Sequence, residues 1–205
     1  MPGLDISHFD LALSVALGIA LAAATGFRVF LPMLVASAAA YTGNLPLGES
    51  FAWLATPGAV TLLGVAALVE TLAYYVPGVD NLLDTIATPA AFVAGTIISA
   101  AVIVDMPPLI KWATAIIAGG GIAGLTQGTT ALLRAKSTVM TGTLGNPVLA
   151  TAEVGGSLLL SILALLAPIV ALLLVIGLLW LAFRLLRKLT RAARPAKTNT
   201  RLPQT

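Results

Sequence analysis

The sequence contains no cysteine, which excludes disulfides, thiolate metal sites and cysteine nucleophiles. Its single histidine, His8, stands in the N-terminal leader, so the body of the chain offers no imidazole for acid–base work. Charge is also scarce: 9% of the residues are Asp, Glu, Lys or Arg, where a soluble domain carries roughly a quarter. Apolar residues dominate, at 59% of 205 residues and a mean hydropathy of +1.01. Several runs approach or exceed the ~20 apolar residues needed to cross a bilayer. These features predict an integral membrane protein, an all-α polytopic bundle. The leader "MPGLDISHFD" lacks a basic stretch before the first apolar run, so that run is expected to be retained as a span rather than removed as a signal peptide.

The few charges are unevenly placed. Arg184, Arg187, Lys188, Arg191, Arg194, Lys197 and Arg201 crowd the C-terminus, whereas Arg28, Lys111, Arg134 and Lys136 are the only bases facing all eight acids earlier in the chain. The pI of 9.6 therefore describes the tail and not the body. Residues 184–205 read as a basic, disordered cytoplasmic tail, and 1–183 as the membrane domain. Such a tail can bind nucleic acid or anionic lipid. Because its bases directly follow an apolar run, the expected role is a positive-inside anchor against anionic lipid headgroups, with no nucleic-acid partner.

Proline punctuates the apolar runs. Thr56-Pro57, Thr88-Pro89 and Asn146-Pro147 each place a capping side chain before a proline, the pattern of a helix N-cap followed by Pro at the first helical position. Six spans follow: about Leu11–Ala40, Pro57–Val76, Pro89–Val104, Pro108–Leu133, Pro147–Leu166 and Pro168–Phe183. The first is too long for one straight crossing, and Gly26 with Pro32 offers a break. The last two are separated at Ala167-Pro168 because one helix at ~1.5 Å per residue would overrun the bilayer. Six spans and a cytoplasmic tail place both termini in the cytoplasm of a cell-membrane protein, with Arg134 and Lys136 on the same side.

Small residues recur every four positions at Gly120, Gly124 and Gly128, and at Gly18, Ala22 and Gly26. Such stripes let helices approach closely in lipid, inside one bundle or in a homo-oligomer. A faint internal echo joins Glu70 before Thr88-Pro89 to Gln127 before Asn146-Pro147. Transporters often carry such repeats, with their site between the halves.

The candidate site residues are the polar groups that a bilayer penalises. Glu70, Glu153 and Arg28 lie inside apolar runs, where an ionisable group costs at least ~2.5–3.5 kcal/mol and normally faces a partner or a bound species. Glu70 and Glu153 sit at matched depth and are expected to share a polar cavity with Arg28 or Gln127, binding a cation or proton or pairing internally. Asp80 and Asp84, four apart in "DNLLDTI", read as the N-cap and first-turn acid of a short helix. The alternative is a divalent cation site for a phosphorylated ligand, with Arg134 and Lys136 holding phosphate. Tyr74 and Tyr75 suit an interfacial aromatic belt, though Tyr74 shares a face with Glu70.

The stretches "GIALAAATGFRVFLPML" (Gly18–Leu34), "ETLAYYVPGVDNLLDTI" (Glu70–Ile86) and "GTLGNPVLATAEVGGSLL" (Gly142–Leu159) resemble the prokaryotic membrane family known as domain of unknown function 4126. The resemblance spans about Leu11 to Pro168 and departs from the family's usual "ADKIP" at "AYYVP". It implies a multi-span protein of uncharacterised activity and marks Glu70, Asp80, Asp84 and Glu153 as recurring. Three functions stay open: a small permease for a cation- or proton-coupled solute, a membrane enzyme acting on a phosphorylated lipid, and a structural or assembly protein. No cofactor is called for.

Overall fold

The computed structural model describes residues 6–192 apart from positions 77 and 105, and every described element is helical. In chain order these are α1 (Ile6–Thr25), α2 (Phe30–Tyr41), a 3-10 helix (Glu49–Ala55), α3 (Pro57–Ala73), α4 (Val79–Val102), α5 (Pro108–Thr114), a π-helical segment (Ala115–Gly120), α6 (Gly121–Thr141), α7 (Asn146–Leu166) and α8 (Pro168–Ala192). The all-α bundle read from composition is thus the fold. Its surface is apolar: Leu62, Leu68 and Leu72 of α3, Leu125 of α6, Leu159 of α7 and Leu173 of α8 are all exposed. The interior holds Arg28, Asp80, Arg134 and Glu153. That inversion suits a solvent of lipid tails, which rewards no burial of apolar surface but penalises unpaired polar groups.

By length and composition α4, the rod Pro108–Thr141 and α7 can each cross a membrane, and a fourth span results if the 3-10 helix and α3, bent by 68°, count as one. The first and last of the six expected spans are shorter apolar helices instead, Asp10–Thr25, Phe30–Tyr41 and Pro168–Leu181. The expected split at Ala167-Pro168 is present, with α7 ending at Leu166 and α8 starting at Pro168. α8 continues through Arg184 and Arg187, whose guanidinium groups stack on Trp180 and Phe183. Residues 193–205, the rest of the basic tail, lie outside the described residues.

The long first run is broken, as its length required. α1 stops at Thr25, whose hydroxyl donates back to the carbonyls of Leu21 and Ala22, and α2 restarts at Phe30. Pro32 falls in the first turn of α2, where its missing N–H leaves no bond unmade. Gly26 is required at the break because a Cβ there would overlap Thr126 and the carbonyl of Ala123 on α6.

Two proline marks read differently in three dimensions. Thr56 is the expected N-cap, its hydroxyl accepting from the N–H of Ala59 at 3.2 Å. Pro89, however, lies inside α4, and Thr88 donates to the carbonyl of Asp84 at 3.1 Å. The helix has already begun ten residues earlier at Val79, and a proline within a membrane helix is tolerated where neighbouring groups re-satisfy the backbone. Asn146 does not cap α7 either: the cap position is Gly145, and the Asn146 amide is drawn into the core. The echo between the two halves loses its matching capped starts on both counts.

The helices meet along a seam of small residues. α4 packs against α1, the π segment and α6, and α1 touches the π segment and α6 in turn. A Cβ on Gly119 would overlap Ser99 of α4, so backbone meets backbone there. The Gly18, Ala22 and Gly26 face does pack as expected, with Gly18 against Ser99 and Val102 and Gly26 against α6. The expected stripe on α6 does not act as one face. Gly120 is tight against Thr96, Gly124 only touches Phe92, and nothing lies within 4 Å of a Cβ on Gly128. Gly120 closes the π segment pressed against α4, while Gly124 and Gly128 follow in α6, where each step of four residues at ~3.6 per turn rotates the face by a further ~40°.

Candidate functional site

Polar side chains converge where the α1–α2 break meets α3, α4, α6 and α7. Each helix supplies a pair on one face: Glu70 and Tyr74 on α3, Asp80 and Asp84 on α4, Gln127 and Arg134 on α6, Asn146 and Glu153 on α7. Spacings of four and seven residues bring side chains back to the same side of a helix. Arg28 enters alone, from the turn between α1 and α2.

At the centre runs a chain of alternating charge. Asp84 pairs with Arg134, Arg134 with Glu153, and Glu153 with Arg28 at 3.1 Å. The Arg28 Nη2 also donates to the carbonyl of Ala150 at 3.2 Å. Gln127 Nε2 and the Tyr74 hydroxyl both donate to Asp84 Oδ1 at 3.3 Å. The Tyr74 ring lies under both guanidinium groups, 3.9 Å from the centre of Arg28's and 4.5 Å from that of Arg134's. Its negative π face offsets part of the cost of holding two cations near each other. Arg28 and Arg134 are each 1% exposed and Tyr74 3%. Tyr74 is therefore a core residue and not part of an aromatic belt, whereas Tyr75 is 40% exposed and bonds Thr151 of α7 at 2.8 Å.

Glu70 stands beside this chain and has a different task. Its two carboxylate oxygens accept from the N–H groups of Val29 and Phe30, at 2.8 and 3.0 Å. α2 has no side-chain cap of its own, so a residue of α3 caps it across the bundle, placing negative charge at a helix N-terminus. Glu70 and Glu153 thus flank Arg28, one through the backbone that follows it and one through an ion pair. They do not bond each other.

Asp80 forms a second layer toward the α3–α4 connector. Its Oδ1 accepts from the N–H groups of Gly78 and Asn81, both at 2.9 Å, and its other oxygen accepts from the Asn146 amide. That amide also donates to Thr138 at 2.9 Å. Asp80 is in the first turn of α4 with Gly78 at the cap, two residues before the expected cap position, and Asp84 is a network member rather than a first-turn acid. Their oxygens are taken by different partners and do not converge on one point. Among the described residues no group of three or more His, Cys, Asp or Glu could hold a metal. Arg134 is buried inside α6 while Lys136 is exposed, so the two do not form a joint phosphate clamp. The helix runs on to Thr141 past the expected end at Leu133 because Arg134 is neutralised within the bundle.

Sequence reasoning missed Asn146 as a network member, Thr138 beside it and the Ala150 carbonyl. The seven-residue spacing from Asn146 to Glu153 was the available signal. Among the described residues, four buried side-chain atoms have no hydrogen-bond partner: Nε and Nη1 of Arg28, Nε of Arg134 and Oδ1 of Asn146.

An apolar-surfaced helix bundle with helices long enough to cross a bilayer and an ion-paired polar centre is a multi-pass membrane protein. A family model described as a domain of unknown function, DUF4126, matches residues 15–188, and the chain belongs to that family. No curated protein and no solved structure matches it.

Proposed function

We infer that the chain is a small permease of the cell membrane that couples movement of a small solute to a proton, with the ion chain Asp84–Arg134–Glu153–Arg28 as its site. The observation that carries this reading is the placement of that chain at a helix break inside the bundle. Charged side chains within a span are costly to place in a bilayer, so charges kept at a broken helix suit a site that rearranges. Interrupted helices that aim backbone groups at a central site are a recurring device of secondary transporters. The titratable groups facing the centre are Glu70, Tyr74, Asp84 and Glu153, with Asp80 one layer away. Glu153 is the natural proton acceptor, since it bridges both guanidinium groups and protonation would release both at once. The basic residues after Phe183 favour a cytoplasmic C-terminus.

Proteoliposomes loaded with a pH-reporting dye test the reading against cationic, neutral and anionic solutes. The expected result is a solute-triggered internal pH change in the wild type that Glu153→Gln abolishes in a folded protein. If no solute moves protons and Glu153→Gln only lowers Tm, the ion chain is a structural lock. The closed pairing of Glu153 and Asp84 is the observation that favours this second reading.

A further inference from the structure

Among the described residues, the two arginines at the centre keep buried donors with no partner, while the unpartnered acceptor Asn146 Oδ1 belongs to the Asp80 layer. Arg28 spends only Nη2, on Glu153 and the Ala150 carbonyl, and Arg134 spends Nη1 and Nη2 on Asp84 and Glu153. Arg28 Nε and Nη1 and Arg134 Nε remain buried and unpartnered. Both groups border the same Tyr74 ring, so the free donors belong to one neighbourhood. Two carboxylate oxygens beside them, Asp84 Oδ2 and Glu153 Oε1, also have no partner among the described residues, but the groups they belong to are already paired with cations. Glu70 is bound to two backbone N–H groups, Asp84 accepts from Arg134, Gln127 and Tyr74, and Glu153 is shared by both arginines. A cation would meet two guanidinium groups in the same place and compete with them for Asp84 and Glu153, whereas an oxygen-rich anion would fill donors that are already idle.

We propose that Arg28 and Arg134 bind a small oxyanion or carboxylate solute through these free donors, beside Tyr74. The assignment rests on the permease reading for its transport meaning but not for binding itself. Charge balance adds a consequence. Arg28 and Arg134 are already neutralised by Asp84 and Glu153, so a bound monoanion leaves the centre one negative charge in excess unless a proton enters with it. Glu153 and Asp84 are the carboxylates beside the arginines that can take that proton. Glu70, held by the N–H groups of Val29 and Phe30, and Asp80, held by Gly78, Asn81 and Asn146, form no ion pair with either arginine.

The test is thermal unfolding of the purified full-length protein in detergent with rising lactate, inorganic phosphate, choline or glycerol. A separate arm adds phosphatidic acid, which presents the same phosphate oxygens on a lipid. Lactate or phosphate should raise Tm saturably while choline and glycerol do not. A response confined to phosphatidic acid assigns the same donors to a lipid headgroup. Arg28→Lys keeps a cation for Glu153 but removes Nε and Nη1, and should raise the half-saturating anion concentration about tenfold or more. Arg134→Lys is the second variant if the first does not fold. No anion response in the wild type, protection by choline instead, or a wild-type response in the folded Lys variant each overturns the proposal. Anion binding without flux in proteoliposomes would sink the permease reading alone, and cation-driven flux without anion binding would sink this one alone.

Discussion

The two ends of α4 solve the problem of packing in lipid by different means. Toward its C-terminus the buried residues are Gly95, Ile98, Ser99, Ala100 and Ala101, pressed against α1 and the π segment so closely that Gly119 admits no side chain. Toward its N-terminus Asp80 and Asp84 reach out to Asn146 on α7 and to Gln127 and Arg134 on α6. One end is held by shape and the other by charge. Shape tolerates no added atom, while charge tolerates no lost partner. Only the charged end contains groups that can change state, which is why function is assigned there.

The contrast can be broken most severely at the charged end. Arg134→Met strips Asp84 and Glu153 of a shared cation, and loss of one partner from a buried pair costs about 3–5 kcal/mol. Chemical denaturation in detergent should register that loss, and restoration toward wild type on adding Asp84→Leu would identify charge imbalance as its cause. At the shape-held end, Gly119→Ala collides with Ser99 and should destabilise by ~1–3 kcal/mol, with Ser99→Gly as a partial rescue. Glu70→Gln can satisfy one of the two N–H groups at Val29 and Phe30 but turns a donor toward the other. A loss of about 2 kcal/mol is expected, read as lowered Tm and faster proteolysis at the α1–α2 break. Gly128→Ala is the smallest change: its Cβ meets nothing, so the helix should gain ~0.5–1 kcal/mol. A loss there would mean that this face is covered, by a second copy or another helix.

Legibility in the sequence follows the same division. Chemistry that acts within a few residues was readable: the cap at Thr56, the stop at Ala167-Pro168, and the break that an over-long first run demands at Gly26. The same local logic misplaced Thr88-Pro89, because a polar residue before proline looks alike at the start of a helix and inside one, whereas at Asn146-Pro147 it found the start of α7 and missed only that Gly145 holds the cap position. Glu70, Asp84, Arg134 and Glu153 stood out because a bilayer penalises them. Their pairing was not readable, since it depends on how α3, α4, α6 and α7 are arranged around the break. Glu70 drew attention as a candidate ion ligand, yet it caps a helix forty positions earlier in the chain. The glycine stripe of α6 failed because steps of four residues drift around the helix by ~40° each, so contact with α4 is close at Gly120, slight at Gly124 and gone at Gly128.

The permease reading requires that the buried charges be kept for function and not for stability. It is tested by solute-linked proton flux in proteoliposomes carrying the quadruple variant Arg28→Met, Asp84→Leu, Arg134→Met, Glu153→Leu, measured beside the wild type. The site becomes apolar with similar volume, a change that is often neutral or stabilising by up to about 4 kcal/mol for buried ion pairs. The predicted result is a folded, membrane-inserted protein with Tm at or above that of the wild type and no flux. A folded variant that moves solute and protons at the wild-type rate would contradict the claim.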